Sequence, residues 1–390
     1  MKTKEVMAPK KDEITWKSIT NNIVKAIKNK RYDPVELLPK NVVDKIFDYF
    51  KGKELMTVSL VNHRWYNFIG KSERHMSKVE IRIVEPRTGR LPLFTMKDAT
   101  FMTQNRRKYQ NISLISLEFG LRTQHKLLLA NFQWRIVRLI CHGFKTQIDL
   151  NNFLGMIEPY VEELVLRSIC IKKDILHTLE QNFTFPRLMK LSIRNCSAYV
   201  YNGPFNGVTN LYSLNIGTEY ASKYSPGKHK GTLRNQGIQN IMLNNHYLDE
   251  LELFLSQEDF DAIYMNERFL RNIRFSLYSL SVGCFIQQDN EGINIVQINN
   301  FIRFLESQKY LVELNLEKWL GILVLECSVN DMQLRGLTIT TFEQFGQHND
   351  SVDHLSLQRN QTIEHLRIWT QNNSVVKEIV NPSGHRSMQY

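Results

Sequence analysis

The sequence predicts an α/β chain: a small three-helix module, then a solenoid with parallel strands on one face and helices on the other. Three observations predict it. Between residues 34 and 75, apolar side chains recur at helical spacing. Beyond residue 76 one phrase, apolar-x-x-apolar-x-apolar, keeps returning. The stretches between its copies carry apolar residues three and four apart, as amphipathic helices do.

Composition is compatible with this division. The 390 residues suffice for one small and one large unit, and a 42% hydrophobic share can form a continuous core. No uninterrupted apolar run approaches the roughly 18 residues of a membrane span. The Lys-rich start lacks the apolar run of a signal peptide, so the cytoplasm or nucleus is expected and a membrane partner is not. Five cysteines (Cys141, Cys170, Cys196, Cys284 and Cys327) form no C-x-x-C pair. Buried reduced thiols are expected, rather than a disulfide framework or a zinc site. The net charge is +11, with nine Lys/Arg against four Asp/Glu in residues 1–33. Residues 34–75 hold seven against five, and the remainder 34 against 30. An excess concentrated in a tail argues against a nucleic-acid channel through the main body.

Residues 1–33 form a basic segment in which Trp16, Ile19, Ile23 and Ile27 fit one amphipathic helix. The module follows at 34–75. Its first helix carries Val42, Val43, Ile46, Phe47 and Phe50, with Pro39 suited to the first turn and Gly52 to a left-handed end. A second helix fits 54–61, with Leu55, Val58 and Val61 on one side. A third fits 64–71 and buries Trp65 with Phe68 or Ile69. About forty residues cannot cover so many large side chains alone, so some of this surface needs a neighbour.

The run L-P, I-F-x-Y-F, L-M-x-V-S-L-V, R-W-Y resembles the F-box, in order and at that family's spacings. Asn41, Val42-Val43 and Gly52 depart mildly from its common residues. The resemblance implies docking to the Skp-type adaptor of SCF (Skp–cullin–F-box) ubiquitin ligases, and through it to a cullin scaffold. By position, Leu38 and Pro39 would begin the docking surface and Val42, Val43 and Ile46 continue it. Leu55, Val58, Val61 and Trp65 would complete or support it.

In the remainder, 76–380, clear copies of the phrase start at 161, 188, 211, 248, 270, 311, 334, 352 and 363, and weaker ones at 76, 112 and 136. Intervals of 24, 25, 27 and 23 residues between 112 and 211 lie within the leucine-rich-repeat period. Alternation sends the apolar members of each strand into a shared core, and parallel strands then line a concave surface. Helices are expected at 151–160 and 298–310. Two long intervals imply insertions near 218–239, read as a mobile basic loop that includes Arg234, and near 279–298. Residues 381–390 form a C-terminal tail.

The phrase also names the solvent-facing strand positions. Arg167, Lys190 and Arg194 make a basic stretch, and Glu250, Glu252, Glu313 and Glu317 an acidic one, with Arg274 among them. His365, Arg367 and Trp369 make a mixed end. Bipolar charge suits a protein or peptide target. No P-loop, nucleophile elbow, zincin or dinucleotide fingerprint occurs, so no catalytic residue, metal site or cofactor is expected. The expected role is a substrate receptor of an SCF-type ligase holding a protein target of unknown identity. The alternative is a repeat scaffold without ligase association.

Overall fold

The computed structural model describes residues 38–85, 94–105, 107–115, 121–141, 150–169, 183–202, 204–218, 230–264, 266–285, 295–317, 335–341, 365–370 and 375–380. The expected helix in 1–33, the copy at 352 and the tail lie outside them. The chain forms two compact units. The first runs to Val79 rather than residue 75 and also takes in Arg107 and Lys108; the second holds the rest.

The first unit contains α1 (Lys40–Asp48), α2 (Gly52–Val58), α3 (His63–Lys71) and α4 (Glu73–Met76). Asn62 starts α3 by accepting hydrogen bonds from the Arg64 and Trp65 N–H groups, both at 2.9 Å. Ser72 caps α4 through the His75 N–H. Gly52 is not a helix end but the first residue of α2. A Cβ there would stand 2.0 Å from the Lys78 carbonyl oxygen, so close approach of backbone demands the glycine.

The second unit alternates strands with helices. In order they are β1 (Glu80–Val84), α5 (Met96–Gln104), β2 (Asn111–Ile115), α6 (Thr123–Asn131), β3 (Ile136–Ile140), α7 (Leu150–Ile157) and β4 (Glu163–Arg167). Then come β5 (Lys190–Arg194), α8 (Ala198–Asn202), β6 (Ser213–Gly217), α9 (Lys230–Asn244), β7 (Glu250–Ser256), α10 (Gln257–Tyr264) and α11 (Glu267–Asn272). The last are β8 (Ser279–Phe285), α12 (Ile295–Ser307), β9 (Glu313–Glu317), β10 (Gly336–Thr341), β11 (His365–Thr370) and β12 (Val375–Val380). The strands form one sheet in chain order. Every pair from β1 to β11 is parallel, and β12 returns antiparallel to β11. Only four residues separate β11 from β12, enough for a hairpin and too few for a parallel crossover.

The second and fourth residues of β2 to β9 fill the core. From Ile112 and Leu114 in β2 to Leu314 and Leu316 in β9, none is more than 2% exposed. Each buried aliphatic side chain contributes about 2 kcal/mol, and the sum, rather than any single repeat, sustains the sheet.

The structure corrects the register of the weaker copies. Tyr109 and Trp134, both buried, take the first apolar position of β2 and β3, three and two residues before the aliphatic starts expected at 112 and 136. Trp134 donates its indole N–H to the Leu128 carbonyl, a hydrogen bond that an aliphatic residue could not make. The copy expected at 270 is helix α11, capped by the Asn266 side chain, so Arg274 lies on no strand. The strand of that repeat is β8, placed within the expected insertion at 279–298, and its phrase begins at the buried Leu277. Two buried amides mark this register. Asn245 accepts from the Leu211 N–H at 2.8 Å and Gln308 from the Leu277 N–H at 3.0 Å, each three residues before the next repeat's first leucine.

The other expected insertion is also partly regular, since α9 begins at Lys230. Arg234 is buried there and pairs with Asp259 of α10 through Nε–Oδ1 at 3.0 Å and Nη2–Oδ2 at 2.8 Å.

Candidate functional site

Two surfaces carry the expected site residues. In the first unit, Phe47 of α1 sits at the centre, its ring 5.3 Å from Trp65, 5.7 Å from Phe68 and 5.7 Å from His75. Edge contacts of this kind add about 1 kcal/mol to area burial. His75, fully buried, places Nε2 3.0 Å from Asp44 Oδ1 and so ties α4 to α1. Arg107 closes the side of α2 and α3. It donates to Ser59 Oγ at 2.8 Å, and its guanidinium lies 4.2 Å over the Tyr66 ring.

That packing sorts the expected docking residues. Val43 and Leu55 are buried, at 2% and 0% exposure, so they lie inside the unit and support the surface from within. Leu38, Val42, Ile46, Val58 and Trp65 are half-buried, and Pro39 is exposed. Val61 is 64% exposed, and beside it Leu60 reaches 75%. Sequence reading missed Leu60. It extended α2 to residue 61, which turned Leu60 away from the apolar side. The helix ends at Val58 instead, and both side chains project from the turn before α3. These two adjacent aliphatic side chains are apolar surface that the unit itself does not cover.

In the second unit the first, third and fifth positions of the parallel strands β1 to β11 make three register rows, and from β2 to β9 these rows lie on the face opposite the core. Row one reads Glu163, Lys190, Ser213, Glu250, Ser279, Glu313 along β4 to β9. Row three holds Arg138, Val165, Ser192, Asn215 and Glu252 from β3 to β7. Arg167 and Arg194 lie in row five. Glu317 lies in row five of β9. His365, Arg367 and Trp369 take rows one, three and five of β11 by register, and their side chains lie outside the described residues.

The charges on this face are not segregated as expected. Arg194 donates to Asn215 Oδ1 at 2.8 Å and to Glu252 Oε1 at 2.5 Å, so a member of the basic stretch neutralises a member of the acidic one. Its guanidinium also lies 5.0 Å over the Phe254 ring. Arg138, which sequence reading passed over, bridges Glu80 at 2.9 Å and Glu163 at 2.7 Å. Finding these pairs requires the cross-strand register, because the partners lie 25 to 58 residues apart. Arg167, Glu250 and Glu313 remain exposed. Lys190 places Nζ 5.0 Å over the Tyr212 ring. Tyr212, then Glu250 and Glu163, hold its ammonium above the ordinary lysine value.

Among the described residues no three His, Cys, Asp or Glu side chains group as metal ligands, and no helix is long and apolar enough to cross a membrane. Cys141 and Cys196 are buried thiols that burial pushes up to about 12.

No curated protein matches the chain. The family model of the F-box domain matches residues 35–76, the span that ends with α4. Residues 35–76 are thus an F-box domain, followed by parallel strands alternating with helices in the manner of leucine-rich repeats.

Proposed function

We propose that this chain is the substrate-recognition subunit of an SCF-type ubiquitin ligase. The F-box binds the Skp-type adaptor, and through it a cullin scaffold, using Leu38, Pro39, Val42, Ile46, Val58, Val61 and Trp65 over a base of Val43 and Leu55. The strand face holds the protein to be ubiquitinated through residues such as Arg167, Lys190 and Glu313, with His365, Arg367 and Trp369 at its far end. The observation that carries this reading is the F-box match over a unit that leaves Leu60 and Val61 exposed. The chain needs no cofactor and performs no bond chemistry. It contributes proximity, which raises the effective concentration of a target lysine near an activated ubiquitin. The cytoplasm or nucleus is the site of action.

Affinity purification with and without residues 34–75 tests this. The expected result is loss of the adaptor and cullin with retention of other captured proteins. Equal recovery of the adaptor from both forms leaves only a repeat scaffold.

A further inference from the structure

The N-terminal edge of the sheet carries residues that the three rows do not absorb. At each repeat the carbonyl just before row one accepts two N–H groups from the next strand. Tyr212 O takes those of Asp249 and Glu250, Asp249 O those of Tyr278 and Ser279, and Tyr278 O those of Val312 and Glu313. This ladder holds the edge residues side by side at strand spacing, about 5 Å. Tyr278 is 46% exposed there, and Tyr247 and Tyr310, which precede β7 and β9, are 78% and 73% exposed. Tyrosine is a common anchor of protein interfaces because a broad apolar ring and a polar tip share one stiff side chain.

Lys190 shows how this edge treats a cation: the ammonium rests over the ring of Tyr212, next along the sheet. Further along, tyrosine and carboxylates recur together. Tyr278 stands at the edge of β8, and Glu250 and Glu313 flank it in row one of β7 and β9. Between them row one holds only the small Ser279, and beyond Glu313 comes Gly336. Both carboxylates are exposed, and two strand spacings set their backbones about 10 Å apart, room for one cationic group between them. The cations of this chain nearest in sequence are Arg271 and Arg274 before Tyr278, and Lys309 and Lys318 on either side of Glu313.

We infer that Tyr278, Glu250 and Glu313 form a docking site for an extended lysine- or arginine-bearing segment of a partner protein. One cationic side chain seats over the Tyr278 ring between the two carboxylates, and Tyr247 and Tyr310 receive flanking apolar residues. That the partner is a ubiquitination target rests on the function proposed above; the site itself does not.

The purified full chain is titrated into a short labelled peptide alternating lysine with alanine, with a glutamate–alanine peptide as control, and binding is read by fluorescence anisotropy. The lysine peptide binds and the glutamate peptide does not. The Glu250→Gln/Glu313→Gln double variant weakens binding about fivefold. Tyr278→Ala weakens it about threefold, and Tyr278→Phe retains it because the ring rather than the hydroxyl is needed. Glu258→Gln, at an exposed carboxylate of α10, leaves it unchanged. Parent-like affinity in the double variant, or equal binding of the glutamate peptide, overturns the inference. Adaptor capture by the same preparations is measured alongside. Lost adaptor capture with peptide binding kept supports this site and overturns only the ligase reading. Unaltered capture with no peptide binding overturns this site alone.

Discussion

Replacing Asp259 by alanine should strip the second unit of one of its most enclosed polar contacts. The Asp259 carboxylate is 0% exposed and the Arg234 guanidinium 4%, joined by two hydrogen bonds. Ser256 Oγ donates to the same carboxylate at 2.6 Å and accepts from the Asp259 N–H, fixing the start of α10. Asp259→Ala leaves the Arg234 charge buried and uncompensated, a change that costs about 3 to 5 kcal/mol. Loss of the Ser256 contact adds about 1 kcal/mol. The double variant Arg234→Met/Asp259→Leu removes the charge with its partner and should return to within about 1 kcal/mol of the parent. Urea unfolding followed by far-UV circular dichroism measures both, and hydrogen exchange over residues 230–264 localises the effect. A single variant within about 1 kcal/mol of the parent, or a double variant worse than the single, refutes the argument.

Three further outcomes are expected. Gly52→Ala drives a Cβ into the Lys78 carbonyl and should cost the F-box unit about 2 kcal/mol or more, seen as faster hydrogen exchange across α1 to α4; unchanged protection there is the contrary result. Burial, then the Arg122 charge, holds the His125 imidazole down to about 4, against an ordinary 6.5. Its stabilisation is therefore complete above pH 6.5 and is lost as pH falls toward 4, by up to about 3 kcal/mol. His125→Gln should flatten that part of the stability–pH curve, and an unchanged slope contradicts it. Asn245→Ala should cost about 3 kcal/mol in urea unfolding, because it strands the Leu211 N–H and the Val208 carbonyl in the core; a change under about 1 kcal/mol counts against that role.

The sequence displays the strong repeats because leucine or isoleucine fills each core position of β4 to β7 and β9, and period-two alternation makes the strand. It hides the weak ones where an aromatic side chain does the same job. Tyr109 and Trp134 are both buried at the position an aliphatic residue fills elsewhere, yet a search for aliphatic starts slips past them. The opposite error occurs at 270–275. Residues three apart satisfy a helix as well as the repeat phrase, and the cap at Asn266 decides for the helix. Gly52 and Arg234 were illegible for another reason. Each is fixed by a partner distant in sequence, Lys78 and Asp259, which no local pattern exposes.

Of the two candidate surfaces, the F-box was the more legible. Its helices lie close to where spacing placed them, because Phe47, Leu55 and Ile69 form a core at short sequence range. On the strand face the outward positions of Arg167, Lys190, Glu250 and Glu313 were legible, but Arg274 falls on no strand, and how the charges pair was not legible. Arg138 and Arg194 each consume carboxylates from other strands, so a list of outward charges overstates what is left for a partner.

The proposed function requires that the F-box unit bind a Skp-type adaptor through aliphatic side chains left at its surface. Isothermal titration of purified adaptor with the parent chain and with Leu60→Asp/Val61→Asp tests it most directly. The parent should bind, and the variant should lose at least about a hundredfold in affinity with its far-UV spectrum unchanged. Equal affinity of the two proteins, or no binding by the parent, contradicts it.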